Sequence, residues 1–287
     1  MKSSGVVYLD GAFVAGESAR ISVFDRGLYA DGLLETVRAY GGRPFALDRH
    51  IERLTASAEF LEIPVPAVEW LPAIGKVLRR NGLERSDAWI RITLTRGPAP
   101  RGLAMPRQPR PTLMITAGKV DPTIASLQRR GVRLVTVPFC RDPFLAAHKT
   151  LNYLPGILAK AVATRAGAYD GLFTDHKGRV LEATTANLFV WKGDELWTPK
   201  EGMLPGVTRA LVMKLARDRG VHLRERAISV RELIQANEAF LTSSVVEILP
   251  VVGIAEDRVG NAKAGPRTRM LSQAFRAMRR TGAVGSS

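Results

Sequence analysis

The first 45 residues show β character in short apolar runs broken by glycine, so VVYLDG and AFVAGE predict a hairpin. LLETVRAYGGRPFAL predicts two more strands about the Gly41-Gly42 turn. The period then changes. Ile51, Leu54, Ala58 and Leu61 lie at one-face helical spacing, with Asp48 as the expected cap and Arg53 beside the apolar stripe rather than in it. A second helix is expected from about Val68 to Arg80, stopping at Asn81-Gly82. The strands DAWIRITLTRG and RPTLMITAGKV complete an α+β unit near residue 120.

Lys119 to Arg130 contains Pro122 and mixes polar with apolar residues, which reads as a connector. The expected domains are therefore a small N-terminal one at 1–120, a linker at 121–129 and a larger one at 130–287. VRLVTVPF opens the second. Beyond Lys149, Leu154, Ile157, Leu158, Ala161 and Val162 suit a helix ending at Gly167, followed by strands in GLFTDHKGRVLEA, NLFVW and ELWTP. Gly206 begins another helix, with Leu211, Val212 and Leu215 on its face and a stop at Gly220. Ser229-x-x-Glu232 has the form of a capping box. No internal repeat is visible, and only the final TGAVGSS is expected to be disordered.

With 287 residues, 46 % of them hydrophobic, the chain can bury a sizeable core. No window approaches the roughly 18 uncharged apolar residues of a membrane span, so no membrane partner and a cytoplasmic location are expected. Cys140 is the single cysteine, which excludes an intrachain disulfide and reads as core filler. The formal charge of +15 raises the question of nucleic acid. Yet the basic residues spread from Lys2 to Arg280 without a basic aromatic strip, so they read as a solvated surface and no nucleic-acid partner is expected. G-x-G-x-x-G, a P-loop and G-x-S-x-G are all absent, and the four histidines are too scattered for a metal motif.

Chemistry enters at HKTLNYLPGILAK (148–160), VLEATTANLFV (180–190), MLPGVTRALV (203–212) and FLTSSVVEILPV (240–251). In order and spacing these resemble the class IV aminotransferases, and DRGLYADGLLETVRAYGGRPFALDRHIERLTASAEFL (25–61) resembles that family's N-terminal domain. The likeness spans nearly the whole chain. It implies an α+β enzyme of fold type IV, with a small α/β domain and a larger pseudo-barrel domain, using pyridoxal 5′-phosphate (PLP).

PLP needs a lysine amine for its Schiff base, and the same amine can move a proton at the substrate Cα. Lys149 matches the family lysine. A buried carboxylate keeps the ring nitrogen protonated, and Glu182 matches that residue. The start of a helix offers free backbone N–H groups to a phosphate, which fits Val207 and Thr208, while Arg53 matches the family's phosphate-side arginine and Ser244 a phosphate-side hydroxyl.

Tyr153 matches a cofactor-binding tyrosine of the branched-chain enzymes, which hydrogen-bonds the cofactor's 3′-oxygen, where D-amino acid transaminases usually carry leucine and aminodeoxychorismate lyases arginine. Trp89-Ile-Arg91 also resembles the branched-chain type, while Thr36 and TSSVVE depart from it. Tyr29, Arg38, Arg91 and Val245 are the candidates for holding substrate. Arg101 matches a carboxylate-binding arginine of the D-amino acid and lyase groups, but Leu103 stands where those groups have histidine or tyrosine. The resemblance thus implies transamination between an apolar or branched-chain amino acid and a keto acid, with D-amino acid transamination or aminodeoxychorismate cleavage as the alternatives on the same fold. It also implies a homodimer.

Overall fold

The structure is a computed structural model of the chain and describes residues 5–100, 102–139 and 142–281. It divides into two compact units, Met1–Val120 with His148–Tyr153, and Asp121–Ala147 with Leu154–Ser287.

The first unit contains β1 (Val6–Leu9), β2 (Ala12–Ala15), β3 (Gly32–Tyr40), β4 (Arg43–Pro44), α1 (Leu47–Phe60), α2 (Trp70–Arg80), β5 (Ala88–Thr95) and β6 (Thr112–Lys119). The strands form one sheet in the order β2-β1-β6-β5-β3-β4. Alternation decides its two faces. Leu33, Val37 and Ala39 of β3 lie opposite Leu94, Ile90 and Ala88 of β5, and all six are buried against Leu54 and Ala58 of α1 and Ile74 and Val77 of α2. Each of the larger aliphatic groups contributes roughly 1.5–3 kcal/mol by leaving water. Thr36, Arg38, Trp89 and Arg91 fall on the other face by the same period of two. Asp48 does not cap α1: Ala46, at φ 53, holds the cap position without a side-chain bond, and Asp48 sits in the first turn, where its charge suits the helix dipole. At the end of α2, Asn81 turns its amide to the carbonyls of Val6 and Val77, so the helix stop also holds β1.

The segment around Lys149 belongs to this unit rather than to the one that follows it in sequence. Leu34 N–H donates to the Lys149 carbonyl, Leu151 N–H to the Gly32 carbonyl, and Leu33 bridges Thr150. Residues 149–151 thereby lengthen the edge of β3 beyond β4.

The second unit runs α3 (Thr123–Arg130), β7 (Val132–Thr136), α4 (Pro143–Ala146), α5 (Leu154–Arg165), β8 (Asp170–Thr174), β9 (Val180–Ala183), β10 (Asn187–Lys192), β11 (Glu195–Thr198), α6 (Val207–Arg217), β12 (His222–Glu225), α7 (Val230–Ile234), β13 (Glu238–Ser243), β14 (Glu247–Ile254), β15 (Asp257–Arg258) and α8 (Pro266–Thr281). Its sheet path is β12-β11-β10-β13-β14-β7-β8-β9, and a further pairing of β9 with β10 closes six of these strands into a ring. The closing contact is Asn187 opposite Glu182. Leu172, Val180, Leu188, Leu241 and Leu249 belong to the buried core of this barrel. The pseudo-barrel expected from the sequence is thus present, as is the Ser229–Glu232 capping box on α7.

Residues 121–129, expected as a linker, are mostly the helix α3. It forms because Leu127 packs on the barrel core and Gln128 donates to the Val246 carbonyl, contacts that its own sequence does not announce. Helix α8 is started from a distance: buried Glu238 on β13 accepts from the N–H groups of Arg267 and Thr268. Cys140, Arg101 and residues 282–287 lie outside the described residues. Among the described residues no helix is long and apolar enough to cross a membrane.

Candidate active site

In the first unit, Lys149 Nζ donates to the hydroxyl of Tyr153 at 3.0 Å. Both side chains are half-buried. Lys149 is fixed by its backbone bond to β3, and the next residue of β3 after Leu34 is Glu35, on the helix-covered face. Glu35 is wholly buried and meets α1: Arg53 Nε donates to its Oε1 at 2.7 Å and Nη2 to its Oε2 at 2.8 Å, a two-pronged pair. His50 Nδ1 lies 2.7 Å from the same Oε2. Burial works against charge on Glu35, but the hydrogen bonds from His50 and Arg53 and the positive charge of Arg53 prevail and hold its pKa at about 2. His50 is pushed below its ordinary value, first by burial, against the pull of Glu35 and with the help of the charges on Arg53 and Lys149. It is the neutral imidazole at pH 7. Arg53 is therefore oriented, one edge of its guanidinium taken by Glu35.

His50, Arg53, Ser57 and Phe60 form a stripe along α1 at helical spacing. Its far end grips the residue before Lys149: the His148 ring stacks on Phe60 with centroids 3.9 Å apart, and its Nδ1 is 3.3 Å from Ser57 Oγ. One helix thus holds the arginine and steadies the approach to the lysine.

Arg91 is exposed on the sheet face away from α1, directly across from Thr36. Arg38, on the same face, is engaged by Asp87 at 2.9 Å and lies over the Tyr40 ring. Tyr29 closes a one-turn 3-10 helix (Arg26–Tyr29) and is 74 % exposed. Arg26 in that turn donates to Asp31 and to the carbonyls of Gly102 and Ala104, so it holds the segment around residues 102–104. Arg96 bonds the same Asp31 at 2.8 Å.

In the second unit, Glu182 is 3 % exposed. Its Oε2 accepts from the Asn187 side-chain amide and from the Leu204 N–H, each at 3.2 Å. Two residues on, Thr184 Oγ1 donates to buried Asp170 at 2.7 Å, which fixes the turn after Glu182. Burial raises the pKa of Asp170. Val207 and Thr208 are the first two residues of α6, both buried, and Gly206 before them caps the helix without a side-chain bond. The helix start is therefore left to its own N–H groups. Ser244 and Val245 sit half-buried in the turn between β13 and β14. Among the described residues no cluster of His, Cys, Asp and Glu could hold a metal ion.

The first unit thus brings Lys149 to Tyr153, and Arg53 to Glu35 and His50; Glu182 and the α6 start belong to the second. Sequence reasoning missed Glu35, His50 and Asn187. Glu35 carried a signal: a carboxylate on the apolar face of a strand needs a cation, and His50 and Arg53 are spaced three apart on the following helix. Asn187 carried none beyond its place in TTANLFV.

The chain is similar to known proteins over nearly its whole length. The chain is 37 % identical over 281 residues, 95 % of it and 96 % of the relative, to a putative branched-chain-amino-acid aminotransferase of Methanocaldococcus jannaschii. It is 30 % identical to an aminodeoxychorismate lyase of Bacillus subtilis, with 94 % of each chain covered. The branched-chain amino acid aminotransferase of Escherichia coli superposes with a TM-score of 0.90 at 29 % identity, over 96 % of this chain and 95 % of that one. Residues 32–254 match the family model for amino-transferase class IV, and the chain belongs to the class IV aminotransferases.

Proposed function

We propose that the chain is a PLP enzyme that moves the amino group of branched-chain or other apolar amino acids to a 2-keto acid. The observation that carries the substrate class is the bond of 3.0 Å between Lys149 Nζ and the Tyr153 hydroxyl, because tyrosine at this place is the branched-chain choice. The side chains suit the cofactor. An amine, a buried carboxylate, an uncapped helix start and an oriented guanidinium are the groups that an aldehyde, a ring N–H and a phosphate require.

Bound there, PLP supplies an electron-withdrawing ring that makes the substrate Cα proton removable. Lys149 would hold the cofactor through Nζ, and its amine would take and return that proton. Tyr153 orients the amine. Glu182, whose Oε2 accepts from Asn187 and Leu204, would hold the ring N–H. The N–H groups of Val207 and Thr208, the Ser244 hydroxyl and Arg53 would hold the phosphate, and Glu35 orients the Arg53 guanidinium. Tyr29, Arg91 and Val245 serve the substrate carboxylate, and Arg38, engaged by Asp87, backs that face. Arg101 serves a dicarboxylate acceptor.

The active form is a homodimer. Val23, Phe24, Leu28 and Tyr29 are 62–78 % exposed, and the loop that Arg26 holds beside them shows Leu103 at 87 % and Met105 at 58 %. A clustered apolar surface of this kind calls for a protein partner. Light scattering should give twice the chain mass; an active monomer would contradict it.

A donor panel tests the substrate class. L-leucine, L-valine and L-isoleucine should react with 2-oxoglutarate faster than D-alanine does. Preference for D-alanine, or pyruvate release from aminodeoxychorismate, would overturn the assignment.

A further inference from the structure

Asn187 is the first residue of β10 and stands opposite Glu182 at the pairing that closes the barrel. Its amide donates one N–H to Glu182 Oε2 at 3.2 Å and another to the Leu204 carbonyl at 2.8 Å. Leu204 returns its own N–H to the same Oε2 at 3.2 Å. The three residues thus form a closed ring of hydrogen bonds. On the other side of the amide, a Cβ placed on Gly206 would lie 2.0 Å from Asn187 Oδ1. Gly206 has φ −70 and ψ 134, a conformation open to any residue, so what requires glycine here is space. Val207 and Thr208 follow directly.

We propose that Asn187 is a positioning residue that sets the Glu182 carboxylate and the start of α6 in one frame. It would then fix the separation between the group that meets the cofactor ring and the group that meets its phosphate. The inference rests on the proposed roles of Glu182, Val207 and Thr208. A glutamate's terminal torsion is broad and roughly two-fold, so a buried carboxylate needs outside donors to point one way. The Asn187 amide is planar, with both N–H groups committed, one to the carboxylate and one to the segment leading into the helix. Any displacement of that amide is therefore felt at both ends.

The test uses apoprotein of the wild type, Asn187→Ala, Gly206→Ala, the double variant and Glu182→Gln. Each is titrated with PLP and with unphosphorylated pyridoxal, following tryptophan fluorescence and the absorption spectrum of the bound ligand across pH. Asn187→Ala should weaken PLP by on the order of tenfold to a hundredfold, the range expected for bonds to a charged group. It should also shift the pH dependence of the ring spectrum in the direction that Glu182→Gln does. Gly206→Ala should reproduce both effects because its Cβ displaces the amide, and adding it to Asn187→Ala should change little more. If Asn187→Ala fails to fold, Gly206→Ala carries the same comparison. Wild-type PLP affinity and spectrum in both single variants, or effects that simply multiply in the double variant, would overturn the proposal. A Glu182→Gln spectrum like the wild type would instead remove the role of Glu182 itself, and the proposal with it.

Discussion

Glu35 and Glu182 are both nearly inaccessible to solvent, at 0 % and 3 % exposure, and each is aimed by donors from other elements. Glu35 receives a guanidinium by two prongs and an imidazole. Glu182 receives the N–H groups of two amides on Oε2. A carboxylate answered by arginine orients that arginine, and its removal breaks a buried ion pair. Amides aim a carboxylate without cancelling its charge, which suits a group that must act on a cationic ring. The first arrangement fixes Arg53 on α1, the arginine proposed for the phosphate, and the second presents the carboxylate proposed for the ring.

This contrast can be broken most sharply by the paired amide substitutions. Glu35→Gln should lose about 3–5 kcal/mol of folding stability in urea titration, the range for breaking a buried ion pair. Glu182→Gln should leave the urea midpoint near that of the wild type, retain PLP, and slow the single-turnover half-reaction by roughly 10²–10³-fold. Equal effects of both variants on stability and on rate would erase the distinction.

The pH dependence of stability comes next in size. Glu35, held down at about 2, contributes stability fully above the ordinary 4.5 and loses it as the pH falls toward about 2. His50, kept neutral in the fold, adds to acid sensitivity below 6.5, because only the unfolded chain gains that proton readily. Urea midpoints should therefore fall from pH 6.5 downward, and Glu35→Gln should flatten the portion below 4.5. An unchanged profile in that variant would detach Glu35 from the acid response.

Arg53→Lys keeps the charge but cannot form the two-pronged bond to Glu35, so PLP affinity should fall by about tenfold or somewhat more. Equilibrium dialysis measures it, and wild-type affinity would take Arg53 away from the phosphate. The smallest effect is expected from Tyr153→Phe. Losing one hydrogen bond to Lys149 should cost about two- to tenfold in turnover. A loss far above this would make Tyr153 a participant in proton transfer rather than an orienting group.

How far the sequence could be read depends on whether a contact is local. Helices α1 and α2, the first hairpin and the α7 capping box all rest on neighbours within a few positions, and pattern alone located them. Helix α3 has only Ile124 and Leu127 as large apolar residues and is held by Val246, 118 positions from Gln128. Helix α8 is rich in arginine and takes its N-terminal partner from Glu238, about thirty positions earlier. Lys149 joins the first unit through three residues paired to β3, too few to show a period. At the candidate site the same rule held: Lys149, Arg53 and Glu182 stood out through their motifs. The partners that orient Arg53 and Glu182 come from elsewhere in the fold, Glu35 being 18 positions from Arg53 and Leu204 22 from Glu182.

The central claim, that Lys149 is the residue to which the cofactor is joined, can be read on the purified protein directly. Borohydride reduction should trap PLP on the chain, and peptide mass mapping should find the phosphopyridoxyl group on Lys149, in the peptide containing HKTLNYL, and nowhere on Lys149→Ala. The group on another lysine, or an unmodified chain from protein saturated with PLP, would contradict the account.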